Sequence, residues 1–140
     1  MCRHTRFALE ASKEAVKSDQ CYRHGAVITK GSKIVCRGLN RVRTSILGMK
    51  RASIHAEVDV AGQLIKRLYR RDYIKKEKAL SGYIIWVVRL GKDCDGNDVL
   101  RDSHPCADCL NILHKCGFKK IGFTDQDGVM RLEKIDDLRN

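Results

Sequence analysis

At 140 residues, with 43% apolar residues, a single proline and 11 glycines, the chain suits one folded domain and excludes a low-complexity or disordered one. No run of 18 apolar residues could cross a bilayer, and the charged start MCRHTRFALEASKEAVK lacks the apolar centre of a secretory signal. A cytoplasmic protein without membrane contact is therefore expected, a nuclear one remaining open.

The net charge of +11 points to a phosphate-bearing partner, or to solubility through self-repulsion. The charge is unevenly spread. No acidic residue falls between Asp19 and Glu57, whereas Arg23, Lys30, Lys33, Arg37, Arg41, Arg43, Lys50 and Arg51 are all basic.

In chain order, Phe7, Ala8, Ala11, Ala15 and Val16 recur at helical spacing between Cys2 and about Lys17, with Arg3, Arg6, Glu10, Lys13, Glu14 and Lys17 on the other face. This predicts an amphipathic first helix. Two β-branched runs, Ala26 to Thr29 and Lys33 to Arg37, then flank Lys30-Gly31-Ser32, which reads as a hairpin with glycine first in a two-residue turn. Asn40 to Ser53 has no sustained period and reads as a basic loop.

From Ile54, the positions Val58, Ala61, Leu64, Ile65 and Leu68 predict a second helix, with Ser53 as its cap. The run KRLYRRDYIKKEK is its basic end, a solvated face suited to a helix C-terminus in preference to a binding patch. YIIWVVRL, Tyr83 to Leu90, is nearly unbroken in β-formers, as a strand buried on both faces would be. Gly91 to His104 reads as a polar loop, its DCDGND stretch a turn rather than a calcium loop.

A third helix is expected from Pro105, burying Leu110, Ile112, Leu113 and Cys116 and ending at Gly117. A strand over Lys120 to Thr124, a turn at DQDG and a final strand over Val129 to Ile135 complete the order, a short helix being the lesser alternative for that last segment. Helices alternating with strands over residues 1–140 predict one α/β domain in which helices cover a sheet.

Seven cysteines, an odd and scattered set, make a poor disulfide framework. Only Cys106 and Cys109 have metal-ligand spacing. They fall in the first turn of the third helix, where the helix dipole favours thiolate over thiol. His55 and Glu57, two apart, can share a site only where the second helix opens onto its preceding loop. Two thiolates and a neutral imidazole balance the charge of Zn²⁺ and leave a fourth position for water, the arrangement of a catalytic rather than a structural site. Glu57 beside that water would act as the base. No pair among the other cysteines and His4, His24 and His114 has ligand spacing, which argues against a second metal site.

H-x-E followed by P-C-x-x-C is the signature of the zinc deaminases, and the chain resembles the cytidine/deoxycytidylate deaminase superfamily. The resemblance runs from GAVITKGSKIVCRGLN through SIHAEVDVAGQL to HPCADCLNILHKCGFKKIGF. It implies a three-layer α-β-α fold around a five-stranded mixed sheet. It also implies a metal-activated water that attacks the carbon bearing the exocyclic amine. Glu57 would take the water's proton, then protonate the ring nitrogen and the departing ammonia. By the same resemblance Asn40 would contact the sugar, Asn40 being equally readable as a turn residue, and the Ala56 N–H would meet the base carbonyl.

Branches of the superfamily that act on adenosine in tRNA or on deoxycytidylate resemble one another in a parallel final strand, which needs a crossover of a dozen or more residues. Only Asp125 to Gly128 separates the last two strands here, so an antiparallel hairpin is expected, as in free cytidine deaminases and some RNA cytidine editors. Free cytidine deaminases typically carry Cys-x-Glu where this chain has His-x-Glu, so its features belong to two branches. The riboflavin-pathway deaminases usually have a longer insertion between their two cysteines than PCADC.

The first functional expectation is deamination of a small cytosine nucleoside or nucleotide, with Arg41 and Arg43 gripping a phosphate. The second is editing within RNA or single-stranded DNA along the basic surface, against which stands an aromatic content of 6%. An inactive zinc-binding subunit is the third, and the presence of Glu57 argues against it. The resemblance further implies a homo-oligomer. The basic segments 23–51 and 66–78 otherwise have only a solubilising role assigned to them.

Overall fold

In this computed structural model, residues 2–18, 23–40, 45–46, 49–50, 55–69 and 80–139 are described, apart from the side chains of 45–46, 49–50 and Tyr69. The hairpin forms as expected. Strand β1 (Arg23–Lys30) pairs antiparallel with β2 (Lys33–Leu39), and Lys30 faces Lys33 across the Gly31-Ser32 turn. Gly31 sits at φ 62°, a backbone region that costs a side-chain-bearing residue strain.

On its other edge β1 pairs antiparallel with β5 (Tyr83–Lys92), the central strand that YIIWVVRL predicts. Strand β7 (Lys120–Thr124) runs parallel to β5, and β8 (Met130–Lys134) returns antiparallel to β7. The final pair is therefore the expected antiparallel hairpin, turning at Asp125 to Gly128.

Two stretches read as loops contain strands. Gly91 to His104 holds the end of β5 and then β6 (Asp98–Arg101), which pairs antiparallel with Arg89 to Lys92. Because Arg89 pairs with His24 on one side and Arg101 on the other, β6 continues the β7 side of β5. The sheet thus has six strands rather than five, ordered β2-β1-β5-β7-β8 with β6 attached to β5. Charged and polar side chains hid β6, a short strand whose backbone pairing needs no apolar alternation. Within Asn40 to Ser53, β3 (Ser45–Ile46) and β4 (Met49–Lys50) form a small separate pair.

Alternation along the strands divides the core between two layers. Ala26, Ile28, Ile85, Val87, Ile121 and Phe123 point to one face, where α2 (Ala56–Tyr69), α3 (Ala107–Cys116) and the short α4 (Ile135–Arg139) pack. Val27, Trp86, Val88 and Leu90 point to the other, against Phe7, Ala8, Ala11 and Ala15 of α1 (Arg3–Ala15). A bulge opposite Ile28 and Thr29 leaves Val35 unpaired, so Val35 and Cys36 pack on the α2 side and Ile34 on the α1 side.

The helix α1 lies so close to β1 that a Cβ on Gly25 would stand 2.1 Å from the Ala11 carbonyl oxygen. Trp86 fills the same layer. Its ring rests where a Cβ on Gly122 would be, and its indole N–H donates to Thr29 Oγ1 at 2.9 Å. Burying Phe7 fully contributes about 1.5–3 kcal/mol.

Several boundaries differ from expectation. Val16 is exposed at 56%, while Glu14, assigned to the solvent face, is buried beside Lys17 and Arg37. The first helical residue of α3 is Ala107, not Pro105, because Cys106 in extended conformation caps the helix. Gly117 closes it in the left-handed region at φ 99°, as expected. Cys116 is only half-buried, and the last residues divide into β8 and α4. Ser53 and the basic run 70–79 lie outside the described residues. Among those described, no helix is long and apolar enough to cross a membrane.

Candidate metal centre

Two helix N-termini meet on one face of the sheet. The His55 carbonyl accepts the N–H of Asp59 at 2.9 Å, so His55 itself occupies the capping position of α2, and Glu57 falls in the first turn. In α3, Cys106 is the cap and its sulfur accepts the Cys109 N–H at 3.4 Å, which holds the exposed Cys106 and the buried Cys109 together in that turn. Helix starts of this kind present N–H groups without intrahelical acceptors, together with the positive end of the dipole.

His55 Nδ1 lies 3.0 Å from Cys109 Sγ and 3.8 Å from Cys106 Sγ, and all three ligand atoms fall within 4.8 Å of one another. Tetrahedral zinc, with bonds of about 2.3 Å to sulfur and 2.0–2.1 Å to nitrogen, separates its ligand atoms by about 3.5–3.8 Å. The observed spacings bracket that value. Among the described residues this trio is the single cluster able to hold a metal.

Burial, first, and then the negative charge of Glu57 push the Cys109 thiol far above its ordinary range, and Cys106 adds to the effect, so the thiolate expected from the helix dipole is not favoured without a cation. A coordinated thiol is deprotonated outright. Glu57 is 3% exposed, and its Oε2 has no hydrogen-bond partner among the described residues. An unpaired buried carboxylate oxygen is costly unless something else at the site engages it. His55 and Cys106 are exposed while Cys109 is buried, so the trio opens to solvent on one side.

The approach to Cys106 is fastened from below by two residues that sequence reasoning passed over. Ser103 Oγ donates to the Val87 carbonyl at 2.9 Å and accepts the Thr124 N–H at 2.7 Å. Thr124 Oγ1 donates to the Arg101 carbonyl at 2.6 Å, and Ser103 N–H to the Thr124 carbonyl at 2.9 Å. Both are buried, and together they tie the segment before Pro105 to the end of β7. Nothing in a lone serine and a lone threonine 21 residues apart announces such a pair.

Of the other expected site residues, Ala56 is fully buried in the first turn of α2, beside His55. Asn40 follows β2, and its side-chain carbonyl accepts the His24 N–H at 2.8 Å and the Ser18 hydroxyl at 2.7 Å. A contact from Asn40 to a substrate would therefore be a donated one, through Nδ2. Arg41 and Arg43 lie outside the described residues.

A model of the cytidine and deoxycytidylate deaminase zinc-binding region matches residues 1–124. The chain belongs to that family. Zinc is the metal of this deaminase family, and the donor set and spacing of His55, Cys106 and Cys109 suit it. A search of curated proteins finds no significant relative.

Among solved structures, this deaminase-family chain is similar to the apo dCMP deaminase of the cyanophage S-TIM5, at 15% identity and a TM-score of 0.54. That match covers 90% of this chain and 86% of the other. The same phage enzyme in complex with dCMP and dUMP is matched at 16% identity and a TM-score of 0.48, over 88% of this chain and 78% of that one. Acinetobacter baumannii RibD is matched at 17% identity and a TM-score of 0.47, over 88% of this chain but 28% of that one. At 15% identity the likeness to the apo phage enzyme is one of fold.

Proposed function

We propose that the protein is a zinc-dependent hydrolytic deaminase that converts a cytosine nucleoside or nucleotide of the cytidine, CMP or dCMP type into its uracil counterpart and ammonia. The observation that carries this reading is a buried carboxylate, Glu57, whose Oε2 has no partner among the described residues, in the same helix turn that begins at His55 of the ligand trio. A purely structural metal site has no use for such a group.

His55, Cys106 and Cys109 would hold the metal. When bound, it supplies Lewis-acid chemistry that acidifies water to near neutrality. Glu57 takes the proton of the attacking water. It delivers that proton to the ring nitrogen and then moves the remaining proton of the added hydroxyl to the departing amine, so that cytosine and water become uracil and ammonia. The Ala56 N–H, at the start of α2, would donate to the base carbonyl. Asn40 donates to the sugar through Nδ2, and Arg41 and Arg43 bind phosphate.

In keeping with the family resemblance, we take the active form to be a homo-oligomer, a point that light scattering on the purified protein decides. The deciding experiment for the activity is ammonia release by zinc-loaded protein from cytidine, deoxycytidine, CMP, dCMP and their triphosphates. Turnover of one of these supports the reading. Silence on all of them, together with salt-sensitive binding of RNA or single-stranded DNA, would replace it with polynucleotide editing. Silence with neither would leave a zinc-binding subunit.

A further inference from the structure

Two carboxylates are buried in the first turn of α2, Glu57 and Asp59. The proposed chemistry uses the first and has no role for the second. Asp59 is 1% exposed. A carboxylate there is tolerated only where hydrogen bonds replace water. Its Oδ2 accepts the Gln63 amide at 3.1 Å and the backbone N–H of Leu39 at 3.3 Å, while its own N–H is given to the His55 carbonyl at 2.9 Å.

One residue therefore joins the backbone of a ligand residue to the last residue of β2, immediately before Asn40. The sequence makes room for this reach. A Cβ on Gly38 would stand 2.8 Å from Asp59 Oδ2, so a side chain at that position would drive the carboxylate off Leu39. From the other side, Ser18, just beyond α1, donates to Asn40 Oδ1, which also receives the His24 N–H. With its oxygen engaged twice, the Asn40 amide is fixed in direction.

We infer that Asp59 is a positioning residue: through Leu39 it sets the distance between the Asn40 amide and the Glu57 turn, so that the sugar of the substrate and its base reach their contacts together. This rests on the deaminase reading of the site. The separation matters because binding energy from the sugar, a non-reacting part, assists the reaction only if the reacting part is in register with it. A helix-capping acid alone would have no need to bond to a strand end.

The test uses zinc-loaded, full-length protein and the variants Asp59→Ala, Asp59→Asn and Ser18→Ala. Asn keeps an oxygen acceptor for Leu39; Ala does not. With the best cytosine substrate from the panel above, Asp59→Ala should raise KM about tenfold with kcat changed less than about threefold and zinc content intact. Asp59→Asn should recover most of that loss, and Ser18→Ala should move KM in the same sense. An equal fall in kcat and kcat/KM, or a loss of melting temperature with unchanged KM, would overturn the inference.

A readout independent of turnover separates this from the deaminase reading. Amide hydrogen exchange at Leu39 and the Asn40 side-chain NMR signals should change in Asp59→Ala and stay near wild type in Asp59→Asn. Unchanged Leu39 exchange in Asp59→Ala defeats the positioning role even if the enzyme turns over. If no substrate is turned over by the wild type, the deaminase reading fails and the NMR result alone decides whether Asp59 holds the strand end.

Discussion

Glu57 is where a single side chain decides the chemistry. Glu57→Gln keeps the shape of the residue and removes its ability to carry a proton. Zinc content, read by metal analysis, should remain one per chain, while kcat for ammonia release should fall by about 10²–10⁴, the usual contribution of a positioned acid–base group. Turnover surviving that change would remove Glu57 from the mechanism. The change should not unfold the protein, because the amide keeps the shape of the side chain and Oε2 has no hydrogen-bond partner among the described residues.

At the scale of elements, the layering depends on close approach and on a few ties at strand ends. Gly25→Ala places a methyl group 2.1 Å from the Ala11 carbonyl and 2.4 Å from the Ala15 nitrogen, and backbone on both sides cannot yield as a flexible side chain would. Lifting α1 off β1 should cost about 3 kcal/mol, at the upper end of overpacking penalties, and chemical denaturation should show it as a lower midpoint.

The start of β1, the end of β5 and the start of β6 are joined by Asp98, which bonds Arg23 at 2.6 Å and Lys92 at 2.7 Å. The guanidinium of Arg23 first, and then Lys92, holds the Asp98 carboxyl down at about 2, below the 3.8 of an unperturbed aspartate. A carboxyl lowered on folding stabilises the protein above its unfolded value, and that contribution disappears as pH falls through the folded one. The melting temperature of Asp98→Asn should therefore lie below wild type at pH 7. The gap should close between about pH 4 and pH 2. Since the ion pair faces solvent, the gap should be small and shrink with added salt. A gap independent of pH would assign Asp98 a purely packing role.

For the whole molecule, a bound metal would join the starts of two helices that also share a small apolar contact of Val58, Cys109 and Ile112. Ligand binding to the folded state alone raises stability by mass action. Chelation, or Cys106→Ser, should lower the melting temperature by several degrees and increase amide exchange at the starts of α2 and α3. The α1 layer should be spared. Trp86, the only tryptophan, packs under Phe7 in the α1 layer, so its emission at room temperature should stay that of a buried indole after zinc removal. A red shift on chelation would mean that the metal supports the entire fold and not one side of it.

Much of this architecture was legible without coordinates because it depends on local rules. Period 3.6 gave α1, α2 and α3; unbroken β-branched runs gave β1, β2 and β5; glycines at the two turns and at the end of α3 gave their boundaries. The trio His55, Cys106 and Cys109 could also be read in advance, since the spacing of the two motifs puts every ligand at a helix start.

Other features depend on partners distant in the chain. Strand β6 exists because the end of β5 offers it an edge, and its own residues carry no apolar alternation. Glu14 is buried because Lys17 and Arg37 reach it, and Val16 is exposed because α1 ends at Ala15. Ser103 and Thr124, and likewise Asp59 and Leu39, meet only after the sheet has assembled. The sequence by itself determined which groups could bind a metal and move a proton, since that follows from residue type and helix position. Tertiary structure decided which groups hold them in place, because a buried hydrogen bond between remote residues leaves no local pattern in the chain.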